Sequence, residues 1–143
     1  MILDKEILNH FVLGNKKFEI QVTKPFNNLV VSFLVDFSNE LRKFKKINLF
    51  PDLIYLIFWC NKNKNKNLSR YSNDNCLRLG RGLIFHICPS NVPTNFIYSF
   101  FFGLLSGNSN IVKVPSKNFK EKKIILSVVK SLFNRKKYIN LKK

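Results

Sequence analysis

The stretch that decides the fold runs from GLIFHICPSNVP at residues 82–93 to LSGNSNIVKVPS at residues 105–116. The first segment is an apolar run that stops at a Pro-Ser-Asn turn, as a buried strand does at its end. The residues between the two segments have helical apolar spacing, and Gly107 is placed to terminate that helix. A second apolar run at 111–114 follows as another strand. The stretch therefore predicts a β-α-β unit with polar residues at both strand ends, where parallel α/β sheets bind ligands.

Ahead of this unit the sequence predicts one strand and two helices. Phe18, Ile20 and Val22 alternate with polar residues, the pattern of a half-buried strand. Apolar residues at helical spacing from 29 to 44 and from 51 to 60 predict the two helices, the second with a proline in its first turn.

The β-α-β unit itself continues into a final helix. Leu83–Cys88 is almost continuously apolar, which predicts a parallel strand covered on both faces. The last helix repeats the apolar spacing of the one before it, so the order is βαβα, half of a doubly wound parallel sheet. The Asn- and Lys-rich run after residue 60 has the composition of an exposed connection. We therefore divide the chain into an N-terminal helical/strand segment, 1–79, and a partial dinucleotide-binding, Rossmann-like βαβα unit, 80–143.

The formal net charge of +17 raises nucleic acid or an anionic membrane as a partner. The lysines alternate with asparagines or recur singly, without one basic stripe, which favours a solvated surface and argues against nucleic acid. The longest apolar stretch, Asn95–Leu105, is shorter than the roughly 20 residues of a membrane-spanning helix. Three cysteines without regular spacing, and no N-terminal apolar signal segment, predict reduced thiols in the cytoplasm. No Cys/His spacing of the zinc type is found, so no metal site is predicted.

Three blocks of this sequence resemble the LuxC-type acyl-CoA reductases, a branch of the aldehyde dehydrogenase superfamily. They are GLIFHICPSNVP from Gly82, GLLSGN from Gly103 and NIVKVPSK from Asn110, with a weaker echo in PDLIYLIFW from Pro51. The resemblance extends from about residue 25 onward. It implies a partial aldehyde dehydrogenase-like fold and a reaction in which NADPH reduces a long-chain acyl-CoA or acyl-protein thioester to a fatty aldehyde.

By this resemblance Asn91 is a catalytic residue. It matches an asparagine whose side-chain N–H helps to hold the oxyanion that forms when a thiolate adds to a carbonyl. Pro89 and Ser90, in the same turn, are implied to border the cofactor. The residues alone leave a second interpretation open, a turn asparagine bonded to its own backbone.

The resemblance also assigns cofactor contacts to the end of the second strand. Lys113 matches a lysine that binds the adenosine ribose, although a solvated lysine is the alternative from sequence alone. Ser116 stands where NAD-preferring relatives often carry a ribose-binding glutamate. A neutral serine beside Lys117 fits the 2′-phosphate of NADPH better. Ser116 as a cap of the last helix is the other interpretation, and both can hold.

The nucleophilic cysteine of the family belongs to a later domain, and Cys60, Cys76 and Cys88 do not occupy its position. We therefore expect an incomplete catalyst, with a complementing C-terminal chain or an acyl-protein synthetase as a partner. Cys88 and His86 are interpreted as structural, the histidine with a satisfied hydrogen bond. The alternative function is a non-catalytic basic module that binds nucleic acid or a partner subunit.

Overall fold

The computed structural model describes residues 11–14, 19–61 and 76–142. Its regular elements are, in chain order, α1 at Asn28–Arg42, α2 at Pro51–Trp59, β1 at Leu83–Ile87, α3 at Asn95–Leu105, β2 at Ser109–Lys113 and α4 at Lys120–Phe133. Short 3-10 helices lie at Ile47–Leu49 and Lys136–Leu141. Within these ranges no helix combines the length and the apolar character needed to cross a bilayer.

β1 and β2 form a two-stranded parallel sheet whose in-register pairs run from Leu83–Ser109 to Ile87–Lys113. Parallel neighbours need a crossover connection, which α3 provides while packing on both strands. Gly107 ends α3 with a φ of +82°, and its N–H donates to the Leu104 carbonyl. The mixed helix and strand architecture predicted from the sequence is therefore confirmed.

The hydrophobic core lies on the side of the sheet that carries α3. Phe33 of α1 is fully buried, and its ring contacts those of Phe101, Phe133 and Tyr138. α3 and α4 bury the faces that helical spacing predicted, which comprise Phe96, Ile97, Phe101, Leu104 and Leu105 on α3 and Ile125, Val128, Val129, Leu132 and Phe133 on α4. The core thus contains residues from both sides of residue 79.

Polar contacts fix both ends of α1. The Asn27 carboxamide oxygen accepts from the Leu29 N–H at 2.8 Å, which satisfies one of the unpaired donors at the start of the helix. Near the other end, Asp36 accepts from the Tyr138 hydroxyl at 2.6 Å, and Glu40 accepts from Arg135 and Lys43. These contacts join α1 to the segment that follows α4.

The predicted strand around Ile20 and Val22 is not found in the structure. Phe18, the first residue of that prediction, lies outside the described residues. Residues 19–24 form no strand, and the two side chains are 51% and 43% exposed. The Thr23 N–H donates to the Gly107 carbonyl, and the Thr23 carbonyl accepts from the Gly80 N–H. The segment is therefore anchored to two loops and, through Gln21, to the Ser109 hydroxyl at the start of β2.

The prediction that β1 is covered on both faces is also wrong. Phe85 and Ile87 are 58% and 70% exposed. Side chains alternate along a strand, and His86 points toward α3. Phe85 and Ile87 therefore project from the opposite face, which the described helices do not cover. Of the predicted exposed connection at 61–75, only Asn61 is described, and the rest lies outside the described residues.

Candidate functional site at the carboxyl edge of the sheet

The carboxyl ends of β1 and β2 lie side by side, because the strand register pairs Ile87 with Lys113. The turn 89–91 follows β1 and is exposed. Lys113 is the last residue of β2, and Ser116 and Lys117 lie in the connection to α4, all three exposed. The structure thus brings both loops that carry the predicted site residues to one edge of the sheet.

Asn91 lies in the turn between β1 and α3 with its side chain exposed. Its carboxamide makes no hydrogen bond to any residue that the structure describes, so the predicted alternative of a self-bonded turn asparagine is not what the structure has. Cys88, the residue before the turn, is joined to α3, because its thiol donates to the Ser99 hydroxyl at 3.3 Å. The Asn91 amide can therefore bind a ligand, and the turn that carries it is joined to α3 by the Cys88–Ser99 hydrogen bond.

The connection between β2 and α4 is held by a lysine that the sequence did not single out. The Lys122 Nζ donates to the Pro115 carbonyl at 2.9 Å and to the Lys117 carbonyl at 2.7 Å. The Lys117 Nζ stands 5.2 Å from the centroid of the Phe119 ring, within cation–π range. A lysine in the first turn of a helix opposes the helix dipole, and that signal could have drawn attention to Lys122.

Ser116 does not cap α4. The N-cap position is Phe119, and no side chain makes a capping hydrogen bond there. The Ser116 hydroxyl has no hydrogen-bond partner among residues 11–14, 19–61 and 76–142. The capping interpretation of Ser116 is therefore wrong, and the cofactor contact of this serine stays a prediction.

Below this edge, a pair of polar side chains joins the two strands to α3. The His86 Nε2 lies 2.8 Å from the Asn110 Oδ1, and the Asn110 amide donates to the Asn108 carbonyl at 2.7 Å. A Cβ atom built at Gly103 would overlap the Asn110 carboxamide and the His86 ring. His86 thus has the satisfied hydrogen bond that was predicted, and the glycine allows close approach of helix and sheet.

Comparison with known protein families matches residues 61–140 to the acyl-CoA reductase (LuxC) family. The match covers more than half of the chain and includes both loops at the carboxyl edge. The chain belongs to the LuxC family. The resemblance of the three blocks from Gly82, Gly103 and Asn110 is thereby confirmed, whereas the weaker echo from Pro51 lies outside the matched residues. Comparisons with curated proteins and with solved structures gave no match.

The cysteines of this LuxC chain differ in exposure. Cys60 is fully buried, and burial raises the pKa of its thiol. Cys88 is partly buried and donates to Ser99, whereas Cys76 is exposed. A buried thiol with a raised pKa carries little thiolate, so Cys60 is unsuited to nucleophilic attack. Among the described residues, no three His, Cys, Asp or Glu side chains converge on a possible metal position.

An apolar cleft of about 560 Å³ runs along β2 in this LuxC chain. Every residue from 109 to 114 lines it, with apolar side chains of α1, α3 and α4 around them. Of the predicted site residues, only Lys113 borders it. Successive strand residues point to opposite faces, so a cleft that touches all of them follows the strand edge. Leu83 and Phe85 of β1 also line the cleft, so it extends from the edge of β2 onto the neighbouring strand.

Proposed function

We propose that this chain forms the cofactor-binding and oxyanion-binding part of an NADPH-dependent acyl-CoA reductase that produces fatty aldehyde. One observation carries the proposal. Within the range that matches the LuxC family, the Pro89–Asn91 turn and the Ser116–Lys117 turn lie at the same carboxyl edge of a parallel strand pair. Ligands of open α/β sheets bind at that edge.

The residues at the edge fit a phosphate-bearing dinucleotide. Residues 109–120 contain Lys113, Lys117 and Lys120 and no aspartate or glutamate, so nothing in the connection repels a phosphate. The Ser116 hydroxyl has no partner within the described residues and suits a ribose or phosphate oxygen. An ammonium group serves hydroxyls and phosphate alike, so Lys113 suits the adenosine ribose and Lys117 the 2′-phosphate.

Asn91 is proposed to stabilise the oxyanion that forms on the acyl carbonyl. Its exposed carboxamide provides an N–H donor on a turn that Cys88 ties to α3. A preorganised donor of this kind is commonly worth about 3 kcal/mol of activation free energy. Bound NADPH would supply the hydride that releases the acyl group as aldehyde.

The acyl-carrying cysteine is proposed to come from outside these residues. Burial and a raised pKa disqualify Cys60, and the Cys88 thiol is directed toward Ser99. Cys76 is exposed but, by the family resemblance, does not occupy the position of the nucleophile. A complementing chain would then add a strand along the cleft beside β2, because unpaired strand edges bind extended segments through backbone hydrogen bonds.

Mixing this chain with the cysteine-bearing C-terminal part of a LuxC reductase should restore NADPH oxidation with acyl-CoA. Absence of both activity and complex would refute this part of the proposal.

The test of cofactor binding is a fluorescence titration of the purified chain with NADPH. Saturable binding is expected, and Lys113→Ala should weaken it about tenfold, as one lost charge-assisted hydrogen bond would. Lys130→Ala removes an exposed lysine from the last turn of α4 and should leave the affinity unchanged. A folded chain that ignores NADPH but binds nucleic acid with steep salt dependence would instead support a basic binding module.

A further inference from the structure

Lys122 makes the most specific contacts of any lysine near the carboxyl edge. Its Nζ donates to two main-chain carbonyls, those of Pro115 and Lys117, at 2.9 and 2.7 Å. We infer that Lys122 is a positioning residue that holds Ser116 and Lys117 in the conformation that receives the 2′-phosphate of NADPH. The inference rests on the proposed function and assigns cofactor selectivity to a residue that does not itself touch the ligand.

The contacts of Lys122 serve the connecting turn rather than α4. Lys122 is the third residue of α4, where a cation faces the positive end of the helix dipole. The two carbonyl contacts compensate for this placement. The Lys117 carbonyl also accepts from the Phe119 N–H at 3.1 Å, so both of its lone pairs are engaged.

Ser116 lies between the two carbonyls that Lys122 binds. The main chain on either side of the serine is therefore fixed, while its hydroxyl stays exposed and without a partner among the described residues. A fixed backbone around a short polar side chain is the arrangement that recognises a phosphate with little loss of conformational entropy on binding.

Lys123 provides a matched control. It is the next residue of α4, it is exposed, and its side chain makes no hydrogen bond or ion pair within the described ranges. Lys123→Met removes the same charge from the same helical turn without touching the connection. A difference in NADPH affinity between the two variants is therefore caused by the position of the Lys122 side chain and not by the loss of one positive charge.

The experiment is a titration of the wild type, Lys122→Met, Lys123→Met and Lys122→Arg with NADPH and with NADH. Lys122→Met should weaken NADPH binding about tenfold and NADH binding less than about twofold, because only the 2′-phosphate contact depends on the turn. Lys123→Met should change either affinity less than about twofold. Lys122→Arg, which retains a charged donor, should restore most of the preference for NADPH.

Equal losses from Lys122→Met and Lys123→Met, or no loss from either, would overturn the inference while leaving the proposed function intact. A folded wild type that binds neither cofactor would overturn both. If Lys122→Met does not fold, amide hydrogen exchange of the wild type decides the question. NADPH should slow exchange at residues 116–119 more than NADH does, and equal protection would overturn the inference.

Discussion

His86 on β1 and Asn110 on β2 meet with Nε2 2.8 Å from Oδ1, in the space that a side chain at Gly103 would otherwise occupy. The contact joins three elements at one point, because each residue belongs to a different strand or helix. It lies below the carboxyl edge, where the proposed cofactor contacts project. The position of α3 over the sheet, and with it the entry into the helix after Asn91, depends on this packing.

Gly103→Ala tests that packing. Alanine in a helix interior ordinarily stabilises by about 1 kcal/mol over glycine. Here we expect destabilisation by about 2 kcal/mol, because the new methyl group would overlap the His86–Asn110 pair and force α3 away from the sheet. Urea unfolding would measure the change. Ser106→Ala, at the exposed end of the same helix, should stay within about 0.5 kcal/mol of the wild type.

Ser116→Glu should reverse the cofactor preference. A carboxylate at this exposed position would repel a 2′-phosphate and accept hydrogen bonds from ribose hydroxyls. We expect NADPH affinity to fall about tenfold and NADH affinity to rise, as measured by parallel titrations. Asn118→Glu introduces the same charge at another exposed position of the connection. Identical effects from the two variants would mean that net charge, and not a contact at Ser116, determines the preference.

Glu40 should make the stability of the chain sensitive to acid. Hydrogen bonds from Lys43 and Arg135 hold its pKa below its ordinary value of 4.5. The stabilisation is therefore present above the unfolded-state pKa and is lost as the pH falls through the folded-state value. Glu40→Gln should cost about 0.5 to 1 kcal/mol at pH 7, the range for partly exposed ion pairs, and less at pH 3, because protonation of the carboxyl weakens its contacts with Lys43 and Arg135.

The measurement for Glu40 is urea unfolding of both proteins across this pH range. Glu19→Gln removes an exposed carboxylate from a different part of the structure and is the control. A Glu40→Gln effect of the same size at pH 3 and pH 7 would show that shape or packing, rather than the carboxylate charge, is responsible.

The cysteines should react with iodoacetamide in the order of their exposure. Cys76 is exposed, Cys88 partly buried and Cys60 fully buried, with burial raising the pKa of the Cys60 thiol. We expect Cys60 to react on the order of 100-fold more slowly than Cys76, since its alkylation requires local opening. Peptide mass spectrometry over time would follow the reaction. In denaturant the three rates should converge, and a fast Cys60 in the folded chain would show that the core is open.

The sequence predicted those features that depend on local periodicity. The buried faces of α3 and α4, the stop at Gly107 and the parallel order of β1 and β2 follow from apolar spacing and one glycine. It also placed the two polar loops at one sheet edge, because strands in a parallel pair end together.

The features that depend on distant neighbours were not predictable. Apolar and polar residues alternate around Ile20 as they do in a strand. The backbone of Thr23 nevertheless forms its hydrogen bonds with Gly80 and Gly107, which lie in loops. The exposure of Phe85 depends on what lies against the far face of the sheet, which no local pattern encodes. Lys122 reaches carbonyls five and seven residues back only because the turn before α4 folds toward it.

Some of the residues that contact α1 are synthesised late. Phe33 packs against Phe133 and Tyr138, and the Tyr138 hydroxyl donates to Asp36 across a separation of 102 residues. During translation α1 emerges long before these residues do, so these contacts of α1 can form only after residues 133–138 leave the ribosome. The part of the core around Phe33 is therefore completed only after residues 133–138 have been synthesised, even though the β-α-β unit is already present by then.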